Sequence, residues 1–444
     1  MSGPLRLAVE GRLAELDDRQ RSLLLDRRPT DQAGVQQATR DMLMRVRGEG
    51  DTALRDFARR FDGVELDHLE VPREQWGRAL ESLNAEVTAA LSRAARNIEA
   101  FHRAQIPGDV EVEVEPGVHL GRVFVPLEAV GVYAPGGLAA YPSSVLMGVV
   151  PARAAGVEEI VVCSPPGPDG LPSAVVQAAA AIGGATRLFA VGGAGAIGAL
   201  AFGTESIPRC AAVVGPGNRW VIEAKRQVAG QVIIDSPAGP SEVLVIAEEG
   251  CAPPSWIAAE LVAQAEHDPD AAVAFVTTSP SLLEGVRREL ALQVATTPRA
   301  PVVRKALAGC GALLLAADRD EMLCFAEEYA AEHLSLCTRD ARADLARIRT
   351  AGTVFLGASA SVAFGDYLTG ANHVLPTAGA SRSFSGLSAL DFLRSYTWQD
   401  LTPAAAANMA DAVATLAEAE GLPGHAAAAR LRASGRPTSD GDVS

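Results

Sequence analysis

Gln264 and His267 stand three residues apart in Gln264-Ala265-Glu266-His267-Asp268, where an alanine-rich run from Ile257 to Ala265 ends. On a helix that spacing puts both side chains on one face, one turn apart. An amide oxygen and an imidazole meeting there could hold a divalent metal. Zinc usually takes four ligands, so further donors would have to come from elsewhere in the chain. A surface or capping pair has the same spacing. Downstream, polar residues or glycine flank three more histidines: His333 in Glu332-His333, His373 after Asn372, and His425 after Gly424. Asp366 sits in Gly365-Asp366-Tyr367. A histidine beside a carboxylate can take a proton near neutral pH. Adjacency alone does not bring Glu332 and His333 into contact, and a satisfied loop histidine reads equally well.

Glycines mark a second kind of chemistry. Gly193-Ala194-Gly195-Ala196-Ile197-Gly198 matches the dinucleotide pattern, follows an expected strand and opens an expected helix. No acidic residue is placed for a ribose, and tight packing of a small-residue helix explains the glycines as well. Tyr133 to Gly137, Gly192-Gly193 and Gly215-Pro216-Gly217-Asn218 all follow expected strands. Ligands on open α/β sheets bind beyond the carboxyl ends of strands, where three such loops would meet. Pro237-Ala238-Gly239-Pro240-Ser241-Glu242 reads as a rigid loop, either a plain turn or one that turns Ser241 to a substrate.

The elements that must position these residues follow an α/β rhythm. Residues 1 to about 108 read as helical, and Val110 to Val125 alternates as an exposed strand does. From Val130 to Ile234 short apolar strands alternate with helices of about ten residues, which implies a parallel sheet with right-handed crossovers. The rhythm restarts at Val243 and ends in a strand at Thr353 to Leu356. Two Rossmann-like parallel-sheet modules are therefore expected, with a helical N-terminal region and an alanine-rich helical tail over 401–434. The residues from Gly435 are expected to be disordered.

The 444 residues, 48% hydrophobic with only 5% aromatic, suit close helix-on-sheet packing. A net charge of −15 argues against a nucleic-acid partner. No apolar run is long enough to span a membrane, and Met1 to Glu10 has no signal core. Six scattered cysteines without a C-x-x-C pair point to free thiols in a reducing cytoplasm.

Eight blocks resemble the histidinol dehydrogenase family in order and spacing, from about residue 30 to 432. They are Gly131-Val132-Tyr133-x-Pro135-Gly136-Gly137, Tyr141-Pro142-Ser143-Ser144-Val145-Leu146-Met147, Gly215-Pro216-Gly217-Asn218, Ala238-Gly239-Pro240-Ser241-Glu242, Gln264-Ala265-Glu266-His267-Asp268, Glu332-His333-Leu334, Gly365-Asp366-Tyr367 and Asn372-His373-Val374-Leu375-Pro376-Thr377. The resemblance implies a cytoplasmic, zinc- and NAD-dependent homodimer that oxidises L-histidinol to L-histidine in two hydride transfers. It implies one zinc per subunit, held by Gln264, His267, Asp366 and His425, the last reaching in from the partner. Ser241, His373 and Glu420 would join those ligands and His333 around the substrate. His333 would be the base, Glu332 would help activate water for the second oxidation, and Tyr133 and Asn218 would contact NAD. The family usually has Gln, also on the cofactor, where this chain has Gly195. Ala331 stands where Pro is common, and Gly148 where Asn is frequent.

The expected organisation is a helical arm over 1–30 and a first α/β domain from 31–129 with 242–333. A second domain over 130–241 lies on the NAD side. A connecting segment over 334–390 carries a metal ligand, and a tail over 391–444 contacts the partner. Two other readings remain: a relative oxidising another alcohol, such as a sulfonated diol, or a non-catalytic metal- or nucleotide-binding module. Retention of Glu420 and His373 favours histidinol, since both would face its imidazole or amino end.

Overall fold

The computed structural model describes residues 5–27, 33–136, 140–236 and 239–433. Gly137, Pro237-Ala238 and the polar terminus from Gly435 lie outside them. The chain forms two compact units: Met1–Gln105 with Leu127–Phe392, and Ile106–Pro126 with Leu393–Ser444.

The first unit is built on two parallel sheets. One runs, edge to edge, Val9–Arg12, Gly311–Leu315, Ala272–Thr277, Glu242–Ala247, His333–Cys337, Thr353–Leu356. In its central strand every residue of Glu-Val-Leu-Val-Ile-Ala is buried. Side chains alternate across a strand, so Val243, Val245 and Ala247 enter one core and Leu244 and Ile246 the other. A strand covered on both faces reads as a continuous apolar run, which is why this one is plain in the sequence. The second sheet runs Arg187–Ala190, Glu159–Ser164, Ala129–Tyr133, Ala212–Val214, Ile233–Ile234.

Several expectations are revised. The N-terminal region is helical as expected, from Asp18–Leu25 to Ala85–Arg103, but the 1–30 arm also contains Val9–Arg12, an edge strand in which only Val9 is buried. One buried residue in four leaves no pattern to read. The helices Ala33–Glu49, Arg73–Ser82 and Ala85–Arg103 pack on helices of the five-stranded sheet, whereas the expected grouping joined 31–129 to 242–333. The segment expected to connect, 334–390, supplies most of one strand of the six-stranded sheet and all of another. In the second unit the expected single strand is two, Val110–Glu115 and Val118–Pro126, turned at Gly117. Leu393–Leu401 pairs antiparallel with the latter. The tail forms two helices, Pro403–Ala419 and Pro423–Ala433, sealed by Ala414, Ala417 and Ala426.

His102, in the last turn of Ala85–Arg103, is 1% exposed, and its Nε2 has no partner. Burial pushes its imidazole down from 6.5 to about 4. The unfolded chain therefore takes up this proton first, so stability is intact above pH 6.5 and is lost as pH falls toward 4. The linked loss is roughly 2 kcal/mol after discounting for residual solvation. Urea midpoints of a His102→Leu variant should therefore fall less steeply over that window than those of the native chain.

Candidate active site

The chemistry gathers where the strands of the six-stranded sheet begin. His333 is the first residue of its strand and Glu242 the first of the neighbouring one. His333 and Glu332 are both buried. The backbone of Glu242 holds them: its N–H donates to Glu332 Oε2 at 2.6 Å, and its carbonyl lies 2.9 Å from His333 Nδ1. A carbonyl only accepts, so Nδ1 carries the hydrogen, and Nε2 is left as the proton-accepting nitrogen. Nε2 is buried without a hydrogen-bond partner and lies 3.6 Å from Asp366 Oδ1. Burial works against an imidazolium here. Glu332, 3.4 Å from Nδ1, and Asp366 outweigh it and raise the proton affinity of His333 well above the ordinary value. Burial also raises that of Glu332.

Asp366 comes from the short helix Val362–Tyr367. Burial opposes its charge, but His333, then His373 and His267, hold it below the usual carboxylate range. His373 places Nδ1 2.9 Å from the Asp366 carbonyl and Nε2 3.3 Å from Ser144 Oγ. Asn372 donates to the Met147 carbonyl. Gln264 is buried in the last turn of the helix Pro254–Ala265, and His267 lies just beyond, exposed, its N–H on the Gln264 carbonyl. Ser241 is half-buried immediately before the strand that begins at Glu242. Glu420 and His425 are exposed residues of the second unit, at the end of one tail helix and in the first turn of the next.

On the other sheet the loops follow the carboxyl ends of strands. Tyr133 ends the strand Ala129–Tyr133, and its hydroxyl accepts from the Gly193 N–H at 3.2 Å. Burial pushes the phenol up to about 12, so it stays neutral. Asn218 caps the helix Arg219–Val228, its Oδ1 accepting from Trp220 and Val221. Gly195 is buried, and a Cβ there would lie 2.9 Å from Phe57 and 3.3 Å from Leu54. One at Gly198 would lie 3.0 Å from Leu43. These two glycines thus form a seam against the helices Ala33–Glu49 and Asp51–Phe57, as helix packing requires.

A family model for histidinol dehydrogenase matches residues 25–433. The chain belongs to the histidinol dehydrogenase family. The histidinol dehydrogenase of Halobacterium salinarum is 50% identical over 393 residues, 88% of this chain and 92% of that one. That of Methanosarcina mazei is 46% identical over 398 residues, 89% of this chain and 92% of its own. The crystal structure of histidinol dehydrogenase from Elizabethkingia anophelis aligns with a TM-score of 0.92 at 33% identity, covering 97% of this chain and 98% of the other.

Among the described residues, no three His, Cys, Asp or Glu side chains are grouped to hold a metal. The ligand set implied by the family offers only His267 and Asp366 of those types from the first unit, with Gln264 as an amide. The donor chemistry nonetheless fits zinc: an imidazole, an amide oxygen, and a carboxylate that its histidines keep ionised.

Sequence reasoning for this histidinol dehydrogenase family member missed the residues that hold the site in place. Arg27 meets both oxygens of Glu242 at 2.8 and 3.0 Å. Beside the second sheet, buried Lys225 pairs with buried Asp235 and donates to the Gly215 carbonyl at 2.9 Å. Asp235 accepts the Gly215 N–H at 2.7 Å. Gly215 has φ of +118°, and a Cβ there would lie 2.1 Å from the Tyr133 carbonyl oxygen, so only glycine fits. The one available signal was a lysine on the apolar face of an amphipathic helix, four residues from Val221 and three from Val228.

Proposed function

We propose that the chain oxidises L-histidinol to L-histidine with NAD, as a zinc-dependent cytoplasmic homodimer whose sites are completed by the partner. The observation that carries this reading is the buried Glu332–His333 pair, with Nδ1 tied to Glu242 and Nε2 unpartnered beside Asp366. Among the described residues no helix is long and apolar enough to cross a membrane. All six cysteines are free, which fits a reducing compartment.

Gln264, His267 and Asp366, with His425 of a second copy, would hold zinc. Ser241, His373 and Glu420 would position the substrate, and Tyr133 and Asn218 would face NAD. When bound, zinc orients the amino alcohol and NAD takes up the hydrides. The residues themselves manage protons and water. His333 Nε2 takes the hydroxyl proton as the alcohol is oxidised, and the flanking carboxylates stabilise the charge it gains. The resulting aldehyde must be hydrated before it can lose a second hydride. Glu332, whose proton affinity burial raises, is suited to activate that water. Burial of both groups keeps bulk water from the intermediate.

The test is NADH formation from L-histidinol beside a panel of small alcohols that includes sulfonated diols, with metal analysis of the same protein. Two NADH per histidinol and one zinc per chain are expected. A higher kcat/KM for another alcohol would sink the substrate assignment.

A further inference from the structure

The most completely bonded buried charge pair near the site is one that the chemistry just described does not use. The Arg27 and Glu242 side chains are 4% and 2% exposed. Arg27 Nε and one terminal nitrogen donate to the two Glu242 oxygens, at 2.8 and 3.0 Å. The guanidinium also donates to the carbonyls of Leu24 at 2.5 Å and Tyr329 at 2.9 Å, and its carbon lies 3.8 Å from the Tyr329 ring centroid. Glu242 Oε1 accepts in addition the N–H of Ala378 at 2.7 Å. Ala378 sits at φ +53°, which alanine rarely adopts unless something holds it there. Its neighbour Thr377 accepts the N–H of Gly239, on the segment that leads to Ser241.

We propose that Arg27 is a positioning residue for the Glu332–His333 pair, acting through Glu242. The proposal rests on the reading of His333 as the base. Glu242 stands at the end of its strand, where ladder bonds run out, and its N–H and carbonyl are taken by the Glu332 and His333 side chains. That N–H and that carbonyl belong to the two peptides that flank the Glu242 Cα, so a small shift or rotation of that residue would carry both groups with it. The carboxylate of the same residue is the handle that prevents rotation, and Arg27 grips it at two points. A guanidinium can do this because its fork matches a carboxylate, whereas an ammonium is a point charge. The same grip holds the backbone at Ala378, five residues beyond His373.

The experiment uses full-length protein with Arg27→Lys and Arg27→Ala. Two readouts are followed: kcat and KM for L-histidinol and NAD, and the ring ¹⁵N signals of His333 in protein labelled at its seven histidines. The Lys variant keeps the cation and loses the fork, so kcat should fall by about tenfold. The Ala variant should lose about 10²-fold, the scale of misplacing a reacting group by roughly 1 Å. KM for NAD should stay within about twofold in both, since the grip reaches the base and the substrate side and touches neither Tyr133 nor Asn218. Millimolar guanidinium ion should restore part of the Ala variant's rate and return the His333 signals to the Nδ1–H tautomer, without speeding the native enzyme. Where the Ala variant does not fold, the Lys variant decides. A folded Lys variant with native kcat and native ring signals overturns the proposal. So does an Ala variant that ignores guanidinium and loses NAD affinity in step with rate. If the native protein ignores histidinol but the His333 signals shift in the Lys variant, the substrate reading fails and the positioning role stands.

Discussion

An asparagine in place of His333 is expected to slow both oxidations by about 10²–10⁴-fold, the usual worth of a positioned base. The imidazole has a buried nitrogen without a hydrogen-bond partner 3.6 Å from Asp366, and Asn has the size to keep the bond to Glu242 without the basicity. The fold should tolerate the change, because the strand His333–Cys337 keeps its neighbours on both sides. Glu332→Gln should behave differently. It preserves an acceptor for the Glu242 N–H but cannot exchange a proton with water, so the aldehyde step should suffer more than the alcohol step. Rapid-quench measurement of the two half-reactions separates these outcomes. Equal loss of both in the Glu332 variant would remove the division of labour.

The second large effect is a recovery. His333→Asn and His425→Asn proteins should each be inactive, yet mixing them under conditions of subunit exchange should restore activity. In a mixed dimer one site draws His333 and His425 from intact chains while the other carries both lesions. At most about half the native activity per mixed dimer is therefore expected, if sites act independently. The reason to expect sharing is that Glu420 and His425 sit exposed on two helices sealed to each other by alanines, which leave the larger Val413, Leu416, Leu422 and Leu431 exposed for another subunit to cover. Exchange demonstrated by mass spectrometry without any returning activity would place His425 in its own chain's site.

How much of this was legible depended on whether a residue's role is local. Val243 to Ala247 announced itself because burial on two faces makes a run of apolar residues. The next strand, His333–Cys337, was passed over because it opens on the polar pair the chemistry needs and is only five residues long. The Gln264 and His267 spacing predicted a shared helix face. The structure seats Gln264 in the last helical turn and His267 just past it, buried and exposed in turn. That Glu332 and His333 touch could not be inferred from adjacency. Both are organised by the backbone of Glu242, some ninety residues earlier in the chain. Arg27 gave no local signal, because its partners Glu242 and Tyr329 are over two hundred and three hundred residues away. The glycines at 195 and 198 fitted two explanations in sequence, and the rings and methyls of Phe57, Leu54 and Leu43 lying opposite favour packing.

The edge strand Val9–Arg12 has a consequence for the history of each molecule. Among the described residues its sheet partner is Gly311–Leu315, about 300 residues later in the chain. At roughly 5–20 residues per second, a ribosome takes about 15–60 s to make the intervening stretch. Through that interval Val9 and the segment behind it, Arg27 included, have been synthesised but have nowhere to dock, while Glu242 waits in a half-built sheet with its carboxylate unanswered. The five-stranded sheet, whose strands span 129–234, has no such delay and can close while translation continues. Newly made chains are therefore expected to pass through a stage in which the five-stranded sheet is formed and the strand ends around Glu242 and His333 are not, and the earliest residues to be made are among the last to find their places.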